Sequence, residues 1–315
     1  MLEEFGKSID VLNSKVIGPP LRIFLCGGPM VSVEGRESQR SRFLQFLAAR
    51  ESPLHQYMIL AERLFQAPNT QDLFSDLLEF ETYLGHLSAY TLIFVESPGS
   101  LAELGAFALL DSVSRRVYAV TDREYHPRNS FVSQGPLKRL ERIHEDRIHV
   151  FEGLTGNGPE LDDDDFEEIA SVFERLIKAG GRQQRPMGLQ DDGDVMLLLV
   201  DVVARLPFLK KAEIQKVLSS AGAEIDDARL GKMLATLGAA GVIQAERYSH
   251  NIFFVRGEAE RCTKIAFFSN SRLGSLGAVE SEYRQAILER DEKRRKGYRR
   301  WARRGAFASP AEGVA

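Results

Sequence analysis

The chain has 315 residues, 43% of them hydrophobic and 27% charged, as in an average globular protein. This composition excludes a disordered or collagen-like chain, and no stretch reaches the ~18 apolar residues that a membrane-spanning helix needs. The N-terminal residues are acidic and polar, unlike a signal peptide. Cys26 and Cys262 are too few for a disulfide framework or a zinc site. We therefore expect a soluble, cytoplasmic, metal-free protein of two domains.

The net charge of −4 is unevenly distributed along the chain. Residues 282–304 contain ten Lys or Arg against four Asp or Glu, so a segment of +6 follows a body that carries −10. An acidic body with a basic tail is typical of chains that contact nucleic acid or another polyanion. A solvated helix with a charged end would give the same pattern.

The first half of the chain alternates short apolar runs with helical spacings. Strands are predicted at 22–26, 57–60, 90–95, 116–120 and 148–151, and helices at 36–50, 72–87, 101–113 and 165–179. Because each strand is a continuous apolar run, both faces of the sheet are expected to be covered. The pattern predicts an α/β fold for residues 1–180, with a doubly wound, five-stranded parallel sheet of the flavodoxin or Rossmann type.

A different organisation is predicted after a polar, glycine-rich linker at residues 181–193. Helices are predicted at 195–205, 211–220 and 226–237, and a β-hairpin at 242–245 and 252–255. Three helices followed by a hairpin are the outline of a winged helix, which we expect over residues 194–260. Residues 261–315 would then form a basic helical tail.

Residues 95–106 join the strongest predicted strand to the next helix, at the edge where doubly wound sheets bind ligands. Pro98-Gly99 would bring the backbone close to a ligand, and a helix beginning at Ser100 would offer free N–H groups to phosphate. Glu103 would stay ionised near the positive helix end and could attack a sugar carbon. Alternatively, Ser100 and Glu103 form a capping box, which would turn the Glu103 side chain back onto its own backbone.

Two motifs resemble the nucleoside 2-deoxyribosyltransferase-like family. They are Cys26-Gly27-Gly28 after the first strand and Glu96-Ser-Pro-Gly-Ser-X-X-Glu-Leu-Gly-Ala-Phe107, and the similarity extends over most of residues 20–145, including 62–65, Glu81 and Asp122. More narrowly, the chain is similar to retron effectors that join such a domain to a C-terminal winged-helix region.

The resemblance implies an N-glycosidase in which Glu103 attacks the sugar C1′ and Glu81 orients the sugar or the nucleophile. It implies that NAD is the substrate rather than a cofactor, cleaved at the nicotinamide–ribose bond. It further implies control by a reverse transcriptase and its msDNA, and a homo-oligomer. The expected substrate-binding residues are Cys26, Gly27, Gly28, Glu62, Glu96, Ser97, Gly99 and Ser100. Ser97 stands where the nucleoside-transferring enzymes have Asp, which argues against deoxynucleoside transfer more than against N-glycosidic cleavage.

Residues 293–304 combine eight basic residues with two aromatic ones and no acidic one. Basic side chains neutralise phosphates and aromatic rings stack on bases, a combination used for single strands. We predict nucleic-acid binding through Lys293, Arg294, Arg295, Lys296, Tyr298, Arg299, Arg300, Trp301, Arg303 and Arg304. Two other function classes stay open: a ligand-sensing winged-helix transcription regulator, and a nucleoside or nucleotide hydrolase that spares NAD.

Overall fold

The computed structural model describes residues 1–20, 22–31, 36–67, 70–123, 130–143, 145–151, 160–179, 184–257, 262–269 and 276–303. The α-helices are α1 Leu2–Ser8, α2 Gln39–Ala49, α3 Ala61–Phe65, α4 Leu77–Leu87, α5 Pro98–Leu109, α6 Asp111–Ser114, α7 Lys138–Ile143, α8 Asp163–Lys178, α9 Asp192–Arg205, α10 Lys211–Ser220, α11 Asp227–Ala239, α12 Leu276–Arg290 and α13 Glu292–Ala302. The strands are β1 Lys15–Val16, β2 Ile23–Cys26, β3 Met58–Ile59, β4 Tyr90–Val95, β5 Val117–Asp122, β6 Ile148–Phe151, β7 Arg185–Pro186, β8 Ile243–Tyr248, β9 Asn251–Arg256 and β10 Thr263–Lys264.

The chain divides into two compact units, which we call the sheet unit (residues 18–183) and the helical unit (residues 1–17 and 184–315). The sheet unit contains a five-stranded sheet in the order β3-β2-β4-β5-β6, with every neighbouring pair parallel. This confirms the predicted five-stranded parallel sheet. In chain order the sheet runs 2-1-3-4-5, so the strand order reverses between β2 and β4, the place where such folds bind their ligands.

The sheet is covered by helices on both faces because alternate residues of each strand point to opposite sides. On one face, Phe43 of α2 and Phe166 of α8 pack 5.7 Å apart, ring centre to ring centre, in a cluster with Leu25 and Phe94. On the other face, Phe24 lies edge-on to Phe107 of α5 at 5.9 Å. The apolar runs from which the strands were predicted are therefore explained by burial on both sides.

The first 17 residues belong to the helical unit, which corrects the prediction that residues 1–180 form one domain. β1 lies between β7 and β10 and pairs antiparallel with both. Helix α1 packs on α10, where a Cβ atom on Gly6 would lie only 2.4 Å from the carbonyl oxygen of Val217. These contacts join residues distant in sequence, so no local pattern predicts them.

The helical unit continues with α9, α10, α11 and the antiparallel pair β8–β9, close to the predicted bounds. Ser249 and His250, with φ of 46° and 64°, form the tight turn of this hairpin. Residues 181–183 of the predicted linker lie outside the described residues, and its later part forms β7 and the start of α9. Among the residues placed by the structure, no helix is both long and apolar enough to cross a bilayer.

Candidate active site and basic helix

Charged side chains from four helices meet beside the carboxyl end of β2, next to the reversal in strand order. They are Arg40 of α2, Glu62 of α3, Glu81 of α4 and Glu103 of α5, and Cys26, the last residue of β2, lies among them. Helices α2, α3 and α5 each follow a strand of the sheet and α4 precedes β4, so the parallel topology brings these groups to one edge. Four of the expected site residues, Cys26, Glu62, Glu81 and Glu103, are thus brought together.

The start of α5 differs from both sequence-based interpretations. The helix begins at Pro98 rather than Ser100, and its N-cap is Ser97. The capping box is formed by Ser97 and Ser100: Ser97 Oγ accepts the Ser100 N–H at 3.1 Å, and Ser100 Oγ accepts the Ser97 N–H at 3.0 Å. Ser97 and Ser100 are therefore occupied in capping. Glu103 lies one turn beyond the box, so the proposed Ser100–Glu103 box is wrong.

The carboxylate of Glu103 takes no part in the cap of its own helix. Its Oε2 atom is buried and has no hydrogen-bond partner. Burial raises the pKa of Glu103 to about 7; the charge of Arg40 and a hydrogen bond from Cys26 oppose this rise, and the charge of Glu62 adds to it. A buried acid with an unsatisfied oxygen and a pKa near neutrality is typical of functional sites.

Glu81 is the second carboxyl group of the cluster. It is 6% exposed, and burial raises its pKa to about 8, assisted by the charges of Glu103 and Glu62 and opposed by that of Arg40. Burial therefore raises the pKa of both carboxyl groups toward or above neutrality, the range in which acids exchange protons during catalysis.

Arg40 is a site residue that the sequence analysis missed. It is 3% exposed; its Nη2 atom donates to the Glu62 carboxylate and its Nη1 atom to the carbonyl oxygen of Leu25 at 3.4 Å. Its Nε atom is buried without a hydrogen-bond partner. No signal in the sequence marked it, since the predicted helix begins at residue 36; only the observed start of α2 at Gln39 places this arginine in the first turn, where a cation opposes the helix dipole. Such a placement indicates a role outside the helix.

Glu96 and the Gly27-Gly28 pair, which the resemblance assigns to substrate binding, are joined by hydrogen bonds that we call the Glu96 clamp. Glu96 Oε1 accepts the Gly28 N–H at 2.8 Å and the Arg40 N–H at 3.1 Å, and Oε2 accepts the Gln39 N–H at 2.6 Å. The carboxylate thus accepts the free N–H groups at the N-terminus of α2. A Cβ atom on Gly28 would lie 2.7 Å from Ser38 Cβ, so this packing requires the glycine.

Cys26 and Gly99 are the remaining residues that were expected to bind substrate. Cys26 is 1% exposed, and burial, with the charges of Glu103 and Glu81, raises the pKa of its thiol well above the ordinary value. The thiol therefore stays protonated beside Glu103. Gly99 is exposed on the first turn of α5. In the part of the chain that the structure describes, no group of three or more His, Cys, Asp or Glu is arranged to hold a metal ion.

Helix α13 has a buried face and a basic exposed face. Trp301 is 2% exposed in a cluster with Phe208, Phe253 and Val255. Arg294 donates to the carbonyl oxygen of Phe208 and to the Glu213 carboxylate. Arg294 and Trp301 are therefore occupied inside the helical unit, which corrects their assignment to nucleic acid, and Tyr298 packs against the same cluster. The exposed basic residues are Lys293, Lys296, Arg299, Arg300 and Arg303, whereas Arg295 is half-buried. Arg304 lies outside the described residues.

The fold and the site together define an α/β protein with buried carboxyl groups at the switch point of a flavodoxin-like sheet. Residues 36–245, two-thirds of the chain, match the family of the STM3845 retron effector protein. The chain therefore belongs to this family of retron effectors.

Two proteins of Escherichia coli are similar to part of the chain. The "Retron Ec86 putative ribosyltransferase/DNA-binding protein" is 30% identical over 128 residues, which are 41% of this chain and 40% of that protein. Its retron Ec73 counterpart of the same description is 28% identical over 130 residues, 40% of each chain. The matched region spans two-fifths of the length of either relative.

Proposed function

We propose that this retron effector is the toxic component of an anti-phage defence system, an N-glycosidase that hydrolyses NAD to nicotinamide and ADP-ribose. The observation that carries the proposal is the buried, unpartnered Oε2 atom of Glu103 at the switch point of the sheet. The names of the two relatives, which include ribosyltransferase, support chemistry at a ribose C1′.

In the first step, the ionised Glu103 attacks C1′ of the nicotinamide ribose. A bond forms between the Glu103 oxygen and C1′ while the bond from C1′ to the pyridinium nitrogen breaks. Its electron pair goes to that nitrogen, so nicotinamide leaves neutral. Because the leaving group starts as a cation, this step needs no proton donor, and the protonated Glu81 is free to orient a sugar hydroxyl.

In the second step, water cleaves the glycosyl–enzyme ester. Formation of the ester removes the charge of Glu103, and because that charge helps to raise the pKa of Glu81, the pKa of Glu81 falls. Glu81 then releases its proton and can accept one from the attacking water. The water oxygen bonds to C1′, Glu103 leaves as a carboxylate, and the net products are nicotinamide, ADP-ribose and one proton.

The test is incubation of the purified full chain with NAD, alone and with its reverse transcriptase and msDNA, followed by chromatography of nicotinamide and ADP-ribose. We expect equimolar release by the wild type and a loss of at least ~10³-fold in Glu103→Gln. Glu174→Gln, an exposed glutamate of α8 paired with Lys178, is the matched control and should retain activity.

Other outcomes contradict the proposal in distinguishable ways. NAD binding without turnover in every combination would favour a ligand-sensing regulator. Cleavage of a nucleoside panel with NAD spared would favour a nucleoside or nucleotide hydrolase. Turnover of NAD by Glu103→Gln would remove Glu103 as the nucleophile.

We propose further that the helical unit contacts msDNA or its reverse transcriptase, with α9–α11 and the β8–β9 hairpin as a winged helix and α13 as a basic accessory helix. The exposed basic face of α13 supports this, since it presents phosphate-neutralising groups to the solvent. The words DNA-binding in the names of the relatives agree with it.

The contact can be tested by msDNA binding over a salt series. Replacing Arg299 and Arg300 by Gln should weaken binding and lower the salt slope by about two. The matched control is Arg139→Gln, an exposed arginine of α7 that pairs with Asp111. Binding that does not depend on salt would contradict a phosphate-dominated contact.

A further inference from the structure

Four exposed basic residues lie along one flank of α13. They follow one another at steps of three, four and three residues, which is the spacing of neighbours on one side of a helix. The buried face of the same helix is formed by other residues, among them Gly297 and Trp301. We call the following four residues the basic stripe: Lys293, Lys296, Arg300 and Arg303.

The basic stripe lies beside the end of the β8–β9 hairpin. Gly297 follows Lys296 in the sequence and is buried, and a Cβ atom on it would lie 2.9 Å from Cγ of Tyr248. Because Gly297 has no side chain, α13 can pack directly against Tyr248, the last residue of β8. Lys296 also interacts electrostatically with Tyr248. Tyr248 pairs with Asn251 across the turn, so the stripe and the hairpin tip meet at this ring.

The hairpin tip, which we define as residues 247–252, is an exposed turn with a cavity against it. Ser249 and His250 occupy left-handed positions, with φ of 46° and 64°, where such turns prefer asparagine and glycine. Arg247 and Ile252 face each other across the hairpin, and both are exposed. A cavity of about 410 Å³ is lined by the tip residues, Tyr248 included. The half-buried Tyr248 ring is therefore available to a planar group that enters this cavity.

Helix α11 has a different electrostatic character. In the winged-helix arrangement that we propose, α11 is the third helix, the one that commonly enters a DNA groove. Its N-cap is Asp226, and Asp227 follows in the first turn. Arg229 Nε donates to the Asp192 carboxylate at 2.6 Å, and Lys211 pairs with Asp227 at 2.8 Å. Both cations are thus neutralised by neighbouring acids, and the acidic start of α11 repels phosphate.

We propose that the basic stripe and the hairpin tip form one surface that binds single-stranded nucleic acid, the stripe neutralising successive phosphates and Tyr248 stacking on a base. This inference rests on the proposed contact of the helical unit with msDNA or its reverse transcriptase, and it specifies the ligand class and the surface. A row of cations follows the backbone of a strand, and an accessible aromatic ring accepts an unpaired base, which a closed duplex does not present. Helix α11 takes no part in this contact.

The experiment measures binding of the full chain over a salt series to two probes. They are a labelled oligo(dT) strand of about 20 nucleotides and the same strand annealed to oligo(dA). The single strand should bind about tenfold more tightly than the duplex, which is the effect of one stacked base. The triple variant Lys293→Gln, Arg300→Gln and Arg303→Gln should lower the single-strand salt slope by about two, since each phosphate contact contributes about 0.7.

The stacking contact is tested separately at Tyr248. Tyr248→Leu should weaken single-strand binding about tenfold with an unchanged salt slope, whereas Tyr248→Phe, which keeps the ring, should bind like the wild type. Because Tyr248 also packs against the Phe208 cluster, a second measurement uses the wild type alone. A strand that carries 5-iodouracil should form photo-crosslinks within residues 247–252, mapped by mass spectrometry. Crosslinks confined to α11 would overturn the proposal.

Two control variants leave this surface intact. Lys216→Gln removes an exposed lysine of α10 that pairs with Glu3, and it should not change the salt slope. Asp227→Asn removes an exposed acid of α11 and should leave affinity unchanged. Tighter binding in Asp227→Asn would place the strand at α11 and contradict the proposed surface.

The remaining outcomes separate this inference from the contact on which it rests. An unchanged slope in the triple variant, or tighter binding of the duplex, would refute the single-strand surface while the helical unit keeps its nucleic-acid contact. Loss of reverse transcriptase binding in the triple variant, with strand binding retained, would reassign the stripe to a protein partner. A wild-type chain that binds neither probe, nor msDNA, nor the reverse transcriptase would refute the contact itself.

Discussion

Each unit of this protein contains a buried carboxylate on a helix, and the two carboxylates differ in their hydrogen-bond partners. Asp201 of α9, 3% exposed, accepts the N–H groups of Cys262 at 3.2 Å and Thr263 at 2.7 Å, and also the Thr263 hydroxyl. Glu103 of α5 leaves one buried oxygen without a partner. The first joins β10 to α9, whereas the second keeps an oxygen that accepts no hydrogen bond from the residues that the structure describes. Satisfied buried acids indicate architecture, and unsatisfied ones indicate chemistry.

The same contrast separates two neighbours in the sheet unit. Glu96 and Glu103 both lie in the segment that resembles a glycosyl-transferring family, but Glu96 accepts three backbone N–H groups. Proximity to the site is therefore a poorer guide to function than the hydrogen-bond partners of each oxygen.

The largest expected effect is a loss of stability when Asp201, the carboxylate with hydrogen-bond partners, is removed. Asp201→Ala should lower the free energy of unfolding by about 3 kcal/mol, because two N–H groups and a hydroxyl lose their acceptor in the interior. Urea denaturation measures the loss. Asp227→Ala, whose exposed side chain pairs with Lys211, should cost under about 1 kcal/mol. Equal losses in the two variants would break the distinction.

The next effect compares one substitution at two positions of the same segment. Glu96→Gln should cost about 2 kcal/mol at pH 7, since its NH₂ group would face backbone N–H donors. Glu103→Gln should cause no loss of stability at pH 7, because no donor depends on the oxygen that it replaces and burial disfavours the ionised form that Gln removes. Thermal unfolding of both variants decides the point, and a greater loss in Glu103→Gln would contradict it.

An effect of similar size is expected in the pH dependence of stability, through the buried carboxyl group of Glu81. Burial raises the pKa of Glu81 from 4.5 to about 8, so the folded chain binds a proton that the unfolded chain has released. The stability that this proton gives is fully present below pH 4.5 and is lost as the pH rises through 8. Glu81→Gln should therefore unfold like the wild type at pH 4.5 and be more stable by on the order of 2 kcal/mol at pH 9. Urea midpoints at the two pH values measure it; an equal difference at both would contradict the prediction.

The smallest effect extends the contrast to α13. Replacing the exposed Arg299 by Gln should change the free energy of unfolding by under about 0.5 kcal/mol. Arg294→Gln, by contrast, should cost about 2 kcal/mol, since the guanidinium joins α13 to Glu213 and to the carbonyl oxygen of Phe208. Urea denaturation distinguishes them, and similar losses would indicate that both faces of α13 are packed.

Much of the fold could be predicted because burial on both faces leaves a local signature. The strands β2, β4, β5 and β6 appear in the sequence as uninterrupted apolar runs, and the structure gives them nearly the predicted bounds. β3 is shorter than predicted, because Tyr57 ends a 3₁₀ turn and Leu60 is the N-cap of α3. The start of α5 was misplaced although Pro98 marked it, because proline favours the first helical position.

The site was harder to predict because its members come from distant segments. Glu103 and Glu81 were found through a family resemblance, whereas Arg40 belongs to no motif in the sequence. The basic residues of α13 were treated as one group, although the spacing of Arg294, Gly297, Tyr298 and Trp301 by three and four residues is that of one helix face. That spacing was the available sign of a buried side.

By itself, the sequence determined the alternation of buried strands with helices and the parallel sheet, because hydrophobic periodicity is a local property. The tertiary structure alone decided which glutamate closes a helix end and which keeps a free oxygen, and it brought Arg40 beside Glu62. Hydrogen bonds and charge interactions depend on distances between residues far apart in the chain, and these distances exist only once the chain is folded.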